Sequence, residues 1–494
     1  QVNEIHSGNK QLLSVYKILS DIRLVFAPPI EVSPDDLISS DSLAQKFSNQ
    51  SILLRAYQPE SGEAVGFSSA NQPYAPEFHF LLAPEDAQTG ISVALGYPHR
   101  TYRRESARAF QFYQQQTNPH IIKAYQAYLN KEDYLASIDS IYAMQTLANR
   151  SSISLTLKYY QEIMTAFTSD NVLEIKKEYE KDFQQWIETD TLKGIYYGDL
   201  MHFIDQAYDI AEQQGASFYT SSYIINLSAL DDLVVEINNF LENSRSDISE
   251  EQLQTELQSV ASAIKSRLIY INLEAELDLL KDFLLILASV PEDQQLFIIN
   301  SIFSNTSPYN LANRAQKFID NNGLTSVLFN DEDITRAIAN ETIRDDSLYI
   351  LLDEILFINT MARNNQSIFM AYFLPVQQIY NRAQLEYDSL NIHPDANETL
   401  RYNIGSIKVN KEGANSRYIF SDNDFSGRAP GSILLNSEGK LIGLITDESS
   451  NRVRFNYFFN PTLSYQQGIR SVYIINELIK AQANTLLREM GIDN

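Results

Sequence analysis

The sequence predicts a mixed α and β fold in which a large helical domain interrupts a β structure. Strand signals fill residues 1–104, a helical period runs through residues 105–392, and strand signals return over residues 393–470 before a closing helix at 471–494. At 494 residues the chain exceeds the ~250 at which a single core stops growing, so two or three domains are expected.

Along the chain, residues 12–18 and 21–27 are rich in apolar and β-branched side chains and are punctuated by Gly8-Asn9 and Pro28-Pro29. Residues 51–57, 78–82 and 91–96 continue that pattern. Short strands joined by loops suggest an antiparallel sheet or barrel rather than βαβ units. From Glu105 glycine becomes scarce, and Ile269, Leu273, Leu277, Leu280, Leu284 and Leu287 lie on one stripe at helical spacing. Ser249 followed by Gln252 reads as a capping box opening that helix. The stripe reads as a buried helix face, not as a cofactor site. After Pro394, residues 400–409, 433–436 and 441–446 are strands, the last two separated by the turn Ser437-Glu438-Gly439. A helix over residues 472–490 closes the chain.

Composition removes several function classes. Hydrophobic residues make up 44% and charged residues 20%, an ordinary globular balance. The net charge of −25 and the pI of 4.6 repel phosphate backbones and anionic lipid, which argues against nucleic acid as a partner. Without cysteine there are no disulfides, thiol nucleophiles or cysteine-held metals. The longest apolar run, residues 283–290, falls short of the ~20 residues of a membrane helix, so no transmembrane segment is expected. The opening QVNEIHSGNK carries no signal-peptide pattern and reads as the start of a mature or truncated chain.

Metal and cofactor signals fail in turn. His6, His79, His99, His120, His202 and His393 are scattered, with no HExxH-like pair. Asp422, Asp424, Ser426 and Gly427 open like a calcium loop, but Ile433 stands where the acid of the twelfth position belongs. No Walker loop or dinucleotide fingerprint occurs, and no cofactor is expected.

The segment richest in chemical content is DFSGRAPGSILLNSEGKLIGLITD, residues 424–447: a Gly-rich turn, an apolar strand, a tight turn and a second apolar strand. Trypsin-like enzymes carry their nucleophile on such a turn, which aims backbone N–H groups at the developing oxyanion. The segment resembles the nucleophile segment D-I-T-G-G-N-S-G-S-P-V of the S46 serine dipeptidyl-peptidases. HPDANETLRYNIGSIK, residues 393–408, resembles their YPDAN-x-TLR-x-x-G. KILSDIRLVFAPP, residues 17–29, is similar to KDVRLVGAPP, and GYPHRTYR, residues 96–103, to GYPGRTNR. The four motifs stand in the family's order and cover both β parts well and the helical part weakly. The resemblance implies a chymotrypsin-like double β-barrel, its first barrel incomplete in this chain, with a large inserted α-helical domain. It also implies a His–Asp–Ser triad that releases dipeptides from peptide N-termini in the bacterial periplasm or at the cell surface.

Carried over residue by residue, the nucleophile position falls on Pro430, which has neither a hydroxyl nor a backbone N–H. The triad aspartate falls on Gln50, which supplies no charge to stabilise an imidazolium. The histidine-bearing stretch finds no counterpart. The asparagine and tryptophan that hold the substrate's amino terminus fall on Asp41 and Ser42. Asp447 matches the aspartate that contacts the substrate amine, and reads equally as a turn aspartate. Arg470 matches an arginine of the family's VDIRY segment and reads as structural, with Gly468 where an aspartate is usual. Ser426 and Ser432 flank the turn without an identifiable base. These departures lead to the expectation of a degenerate, catalytically inactive S46 homologue. It would serve as a structural or interaction subunit of an envelope assembly, partnered by other periplasmic or outer-membrane proteins. Binding of extended peptides in the old cleft, with Asp447 and Asp41 near the amine, is the retained role that goes with it. The alternative is an active serine-type dipeptidyl aminopeptidase.

Overall fold

A computed structural model describes residues 1–28, 51–63, 66–83, 89–213, 220–221, 224, 227–243, 249–321, 323–324, 331–388, 393–408, 417–425, 429–446, 456–458 and 465–492. The chain divides into two compact units. A β-rich unit comprises Gln1–Ala107, Gln161–Gly198 and Gln377–Asn494, and a helical unit comprises Arg108–Tyr160 and Asp199–Val376. Two of the boundaries fall inside the helices Ser140–Ser169 and Ser347–Tyr387, the second of them beside Pro375.

In the β-rich unit the strands run β1 Val2–Ile5, β2 Lys10–Leu13, β3 Asp21–Phe26, β4 Leu53–Gln58, β5 Gln72–Pro73, β6 Ile91–Gly96, β7 Arg401–Lys408, β8 Tyr418–Ser421, β9 Ile433–Leu435, β10 Leu441–Ile445 and β11 Gln466–Arg470. The last six close an antiparallel barrel in the order β10-β11-β8-β7-β6-β9. Closure depends on β6, which pairs with β7 from Ile91↔Ser406 to Gly96↔Arg401 and with β9 on its other side. By sequence position Ile91–Gly96 belongs with the N-terminal strands. Its hydrogen bonds go instead to strands that follow the helical stretch. Neighbouring strands separated by that stretch are what a helical insertion within a β fold requires, whereas strand propensity says nothing of which sheet a strand joins. Ala94, Ile407, Ile419, Phe425, Ala429, Leu434, Ile442 and Ile445 fill the interior, as side chains do in a small barrel.

The N-terminal β part stays open. β3-β4-β5 make a three-stranded sheet and β1-β2 a hairpin, so the strands before β6 close no barrel among the described residues. The strand expected over residues 12–18 ends at Leu13, and residues 78–82 reduce to a single bridge between Leu82 and Leu441. Asp21 pins the start of β3. It accepts from Arg23 Nε at 2.9 Å and from the Asn71 amide at 2.9 Å, and the Arg23 guanidinium foremost holds its carboxyl down at about 2. The expected terminal helix is two helices, Ser471–Lys480 and Asn484–Glu489, broken near Gln482 at φ 55°. Ile474, Ile475, Leu478 and Leu487 bury their side chains against Phe26, Leu53, Leu82 and Leu444, at roughly 1.5–3 kcal/mol for each fully buried aliphatic group.

In the helical unit Leu279, Leu280, Phe283, Leu284 and Leu287 form a ridge in one buried apolar cluster that also holds Leu233, Ile237, Ile264, Leu348 and Leu352, and the helix carrying the ridge lies against Asn118–Ile138 and Leu311–Asp320. The capping box exists, with Ser249 Oγ accepting from Gln252 N at 3.3 Å and Gln252 Oε1 from Ser249 N at 3.0 Å. It opens Glu250–Leu268, however, and not the ridge helix. That helix, Leu273–Ala288, has its own cap, Asn272, and Ile269 lies in the break at 76% exposure.

Candidate functional site

Three of the segments quoted above meet beside the barrel. The loop after β6 carries Thr101, Arg103 and Arg104, the approach to β7 carries Asp395, and the chain after β8 carries Asn423 and Asp424. Asp395 is the hub. Its Oδ1 accepts from Thr101 Oγ1 at 2.6 Å and from Arg103 N at 2.9 Å, and its Oδ2 from Arg104 N at 3.0 Å. Thr101 N donates to Ala396 O at 3.1 Å and Thr101 Oγ1 accepts from Ala396 N at 2.9 Å, so the two loops are tied through backbone as well. Carboxylate bonds to backbone N–H groups are charge-assisted and shorter than neutral ones.

Arg103 carries the tie onward. Its Nη1 and Nη2 donate to Asp424 Oδ2 and Oδ1, both at 2.7 Å, in the parallel fork that guanidinium and carboxylate planes favour. Asp424 N donates to Asn403 Oδ1 at 2.8 Å. The neighbouring Asn423 is fully buried, donates to Asn403 O at 2.8 Å and accepts from Ser92 Oγ at 2.7 Å. Behind Arg103, its carbonyl accepts from Lys176 Nζ at 3.2 Å. Burial, partly offset by the nearby Glu180 carboxylate, pulls the Lys176 ammonium down to about 8. A cavity of about 640 Å³ opens on this network and includes Ile5, Thr101, Asp395, Tyr402 and Asp424 in its wall.

The chain then reaches the turn on which the nucleophile position was sought. Pro430 is exposed at its tip and Gly431 follows at φ 80°, a conformation open to glycine. Gly431 N donates to Ile445 O at 2.9 Å, and Ile445 N to Ser432 O at 2.7 Å, which locks the turn to β10. Ser432 is 6% exposed and packs under Gly96, where an added Cβ would stand 2.1 Å from its Oγ. Gly96 is glycine because the second serine of the turn occupies its side-chain space.

Of the other candidates, Gln50, Asp41, Ser42, Ser426 and Asp447 lie outside the described residues. Arg470 is buried and donates from Nε to Tyr418 O at 2.8 Å, tying β11 to β8. The calcium-like pair is used otherwise: Asp422 Oδ2 stands 2.7 Å from Lys408 Nζ, and Asp424 is held by Arg103. Among the described residues no group of three or more metal-capable side chains comes together. No histidine ring among them bonds to a serine hydroxyl; His99 Nδ1 lies 3.0 Å from Glu398 Oε1 at the surface. The motifs holding Asp395, Arg103 and Asp424 were legible in the sequence, but Asp395 and Arg103 had no assigned role and Asp424 was weighed only as part of a failed calcium loop, because nothing in their spacing says that they meet.

Comparison with known proteins bears on the same chain. The family profile described as Peptidase S46 matches residues 1–420 and 410–492. An Asp/Glu-specific dipeptidyl-peptidase of Flavobacterium psychrophilum is 22% identical over all of this chain and 76% of its own length. Dipeptidyl-peptidase 7 of Capnocytophaga gingivalis is 20% identical over 94% of this chain and 71% of its own. The crystal structure of Porphyromonas endodontalis DPP11 superposes with a TM-score of 0.78 at 18% identity, covering all of this chain and 78% of that one. The same protein in complex with the dipeptide Arg-Glu superposes with a TM-score of 0.75. These matches bear out the barrel-plus-helical-domain architecture. They overturn the expectation of an inactive, non-enzymatic assembly subunit, since relatives matched over the whole chain are named as dipeptidyl-peptidases and point to an enzyme. With a family profile spanning nearly every residue, this chain belongs to the peptidase S46 family.

Proposed function

We propose that the chain is a serine-type dipeptidyl aminopeptidase that releases dipeptides from the free amino termini of peptides. The observation that carries this reading is the match along its whole length to relatives named for that activity. The interlock of residues 96–104, 393–401 and 422–425 supports it, because the motifs that mark the resemblance are the ones that bond to each other. In such a reaction a hydroxyl attacks the second peptide carbonyl and the shortened peptide leaves as an amine. The acyl-enzyme is then hydrolysed to the dipeptide. Pro430 has no hydroxyl and Ser432 is buried, so the reading requires a nucleophile elsewhere in the chain.

The test is hydrolysis of dipeptidyl-naphthylamides with acidic, apolar and basic second residues. A serine-directed fluorophosphonate is then used to block turnover, with mass spectrometry of the labelled peptide to name the nucleophile. Turnover that the label abolishes is the expected result. No turnover by the parent chain on any of these substrates, with turnover created by Pro430→Ser, would contradict it. The family resemblance also leads us to propose a bacterial-envelope location. Fractionation of the native cells would test it, and recovery in the cytosolic fraction would count against it.

A further inference from the structure

We infer that a cavity of about 580 Å³ within the helical unit is a binding site for a linear organic polyammonium ion of the polyamine class. Its wall comes from the second half of Asn118–Ile138, the start of Ser140–Ser169 and the first turns of Ala229–Asn243 and Leu273–Ala288. The volume falls in the ~300–1,000 Å³ range of small-molecule sites. Its floor holds buried charges that do not balance. The side chains of Lys131, Glu132 and Glu276 are 7%, 3% and 5% exposed, and Lys131 Nζ stands 2.7 Å from Glu276 Oε1 and 3.2 Å from Glu132 Oε1. One ammonium is therefore shared by two carboxylates, and one buried negative charge has no cation among the described residues. Buried charges are paired or hold a bound ion, because an uncompensated one is costly. Neutral donors steady the carboxylates without offsetting their charge. Tyr142 OH donates to Glu132 Oε2 at 2.8 Å, and Ser228 Oγ to Glu276 Oε2 at 3.0 Å. Burial first and the Glu132 carboxylate second push the Tyr128 and Tyr142 phenols up, so both stay uncharged.

The rest of the wall says what kind of cation fits. Asp139 and Asp232 belong to it and are exposed, so acids stand both at the buried floor and toward solvent. Four acids against one lysine leave the wall three formal negative charges. Leu135, Leu227 and Ile271 add apolar surface on which a methylene stem can lie. The tyrosine wall already receives one ammonium, Lys131 Nζ at 4.9 Å from the centre of the Tyr128 ring. Among the described residues no three metal-capable side chains come together, so these acids are too dispersed to wrap one metal ion. Charges spaced along a flexible chain match them, with one ammonium beside Glu132 and another toward the exposed aspartates.

The experiment is isothermal titration of the full chain with spermidine at about 150 mM salt, where exposed charges more than ~8 Å apart are largely screened. Saturable one-to-one binding is expected, with propylamine, a single ammonium on a short stem, at least about tenfold weaker. Glu132→Gln keeps the size and removes the buried charge, and should weaken spermidine binding about tenfold. Asp232→Asn should weaken it about threefold, and as an exposed substitution it serves where Glu132→Gln does not fold. Glu174→Gln, which removes an exposed acid of the β-rich unit, should bind like the parent. Three results would overturn the inference: no saturable binding, an unchanged Kd in the folded site variants, or an equal loss in Glu174→Gln. The last would reduce the binding to general attraction toward a chain of net charge −25. The readout is binding alone, so it stands apart from the dipeptidyl-peptidase reading.

Discussion

Replacing Asp395 should unfasten two loops and destabilise the β-rich unit. The carboxylate accepts three hydrogen bonds, from Thr101 Oγ1 at 2.6 Å, Arg103 N at 2.9 Å and Arg104 N at 3.0 Å. A hydrogen bond to a charged group contributes ~1.5–3 kcal/mol, and a buried donor left without a partner costs ~1–3 kcal/mol. The adjoining cavity lets water reach part of the vacated site, so Asp395→Ala is expected to cost about 4 kcal/mol rather than the full sum. Asp395→Asn keeps the Oδ1 acceptor but turns an NH2 toward the Arg104 N–H, and should cost about 2 kcal/mol. For a unit of this size ~1 kcal/mol moves the melting temperature by ~2–4 °C. Thermal unfolding followed by circular dichroism should therefore show drops of about 12 °C and about 6 °C for the β-rich unit. An Asp395→Ala chain melting within 2 °C of the parent, on the order of the ~0.5 kcal/mol scatter of surface substitutions, would refute the hub role.

Gly96→Ala would force a methyl group to within 2.1 Å of Ser432 Oγ and 2.6 Å of its Cβ, and should cost ~1–3 kcal/mol by overpacking. Adding Ser432→Gly should restore part of that loss in urea unfolding, and strict additivity of the two changes would contradict the contact. Lys176 predicts a pH dependence: burial holds its folded pKa at about 8, below the 10.5 of an unburied lysine, so below pH 8 the folded state bears the cost of a buried charge. That cost fades as pH rises from 8 to 10.5, and the parent should gain roughly 3 kcal/mol on Lys176→Met across this window. A stability difference between the two chains that stays flat with pH would rule the shift out.

The sequence carried the architecture well and the assembly of its site poorly, for reasons that particular residues make plain. Periodicity separates the leucine ridge around Phe283 from the strands β7, β9 and β10, because burial on one face leaves a pattern of 3.6 or 2. It could not place Ile91–Gly96 in the C-terminal barrel, since strand pairing across the helical stretch leaves no local trace. It merged two helices at Ile269, because hydrophobic spacing continues across a break that only the Asn272 cap reveals. The motifs around Asp395, Arg103 and Asp424 were recognisable as words of a family, yet their bonding to each other is a property of the fold. Residue matching at Pro430 led toward an inactive chain. The departures at Gln50 and in the histidine-bearing stretch led the same way; the match along the full length to named peptidases corrected that, since the relationship of the whole chain outweighs residue matching at a few positions.

The most direct test of the central claim is mass spectrometry of a defined peptide with a free amino terminus after incubation with the purified chain. The account predicts successive loss of dipeptides from that terminus, none from the same peptide N-acetylated, and none after fluorophosphonate treatment. Recovery of the intact free-amino peptide after prolonged incubation with excess protein would contradict it.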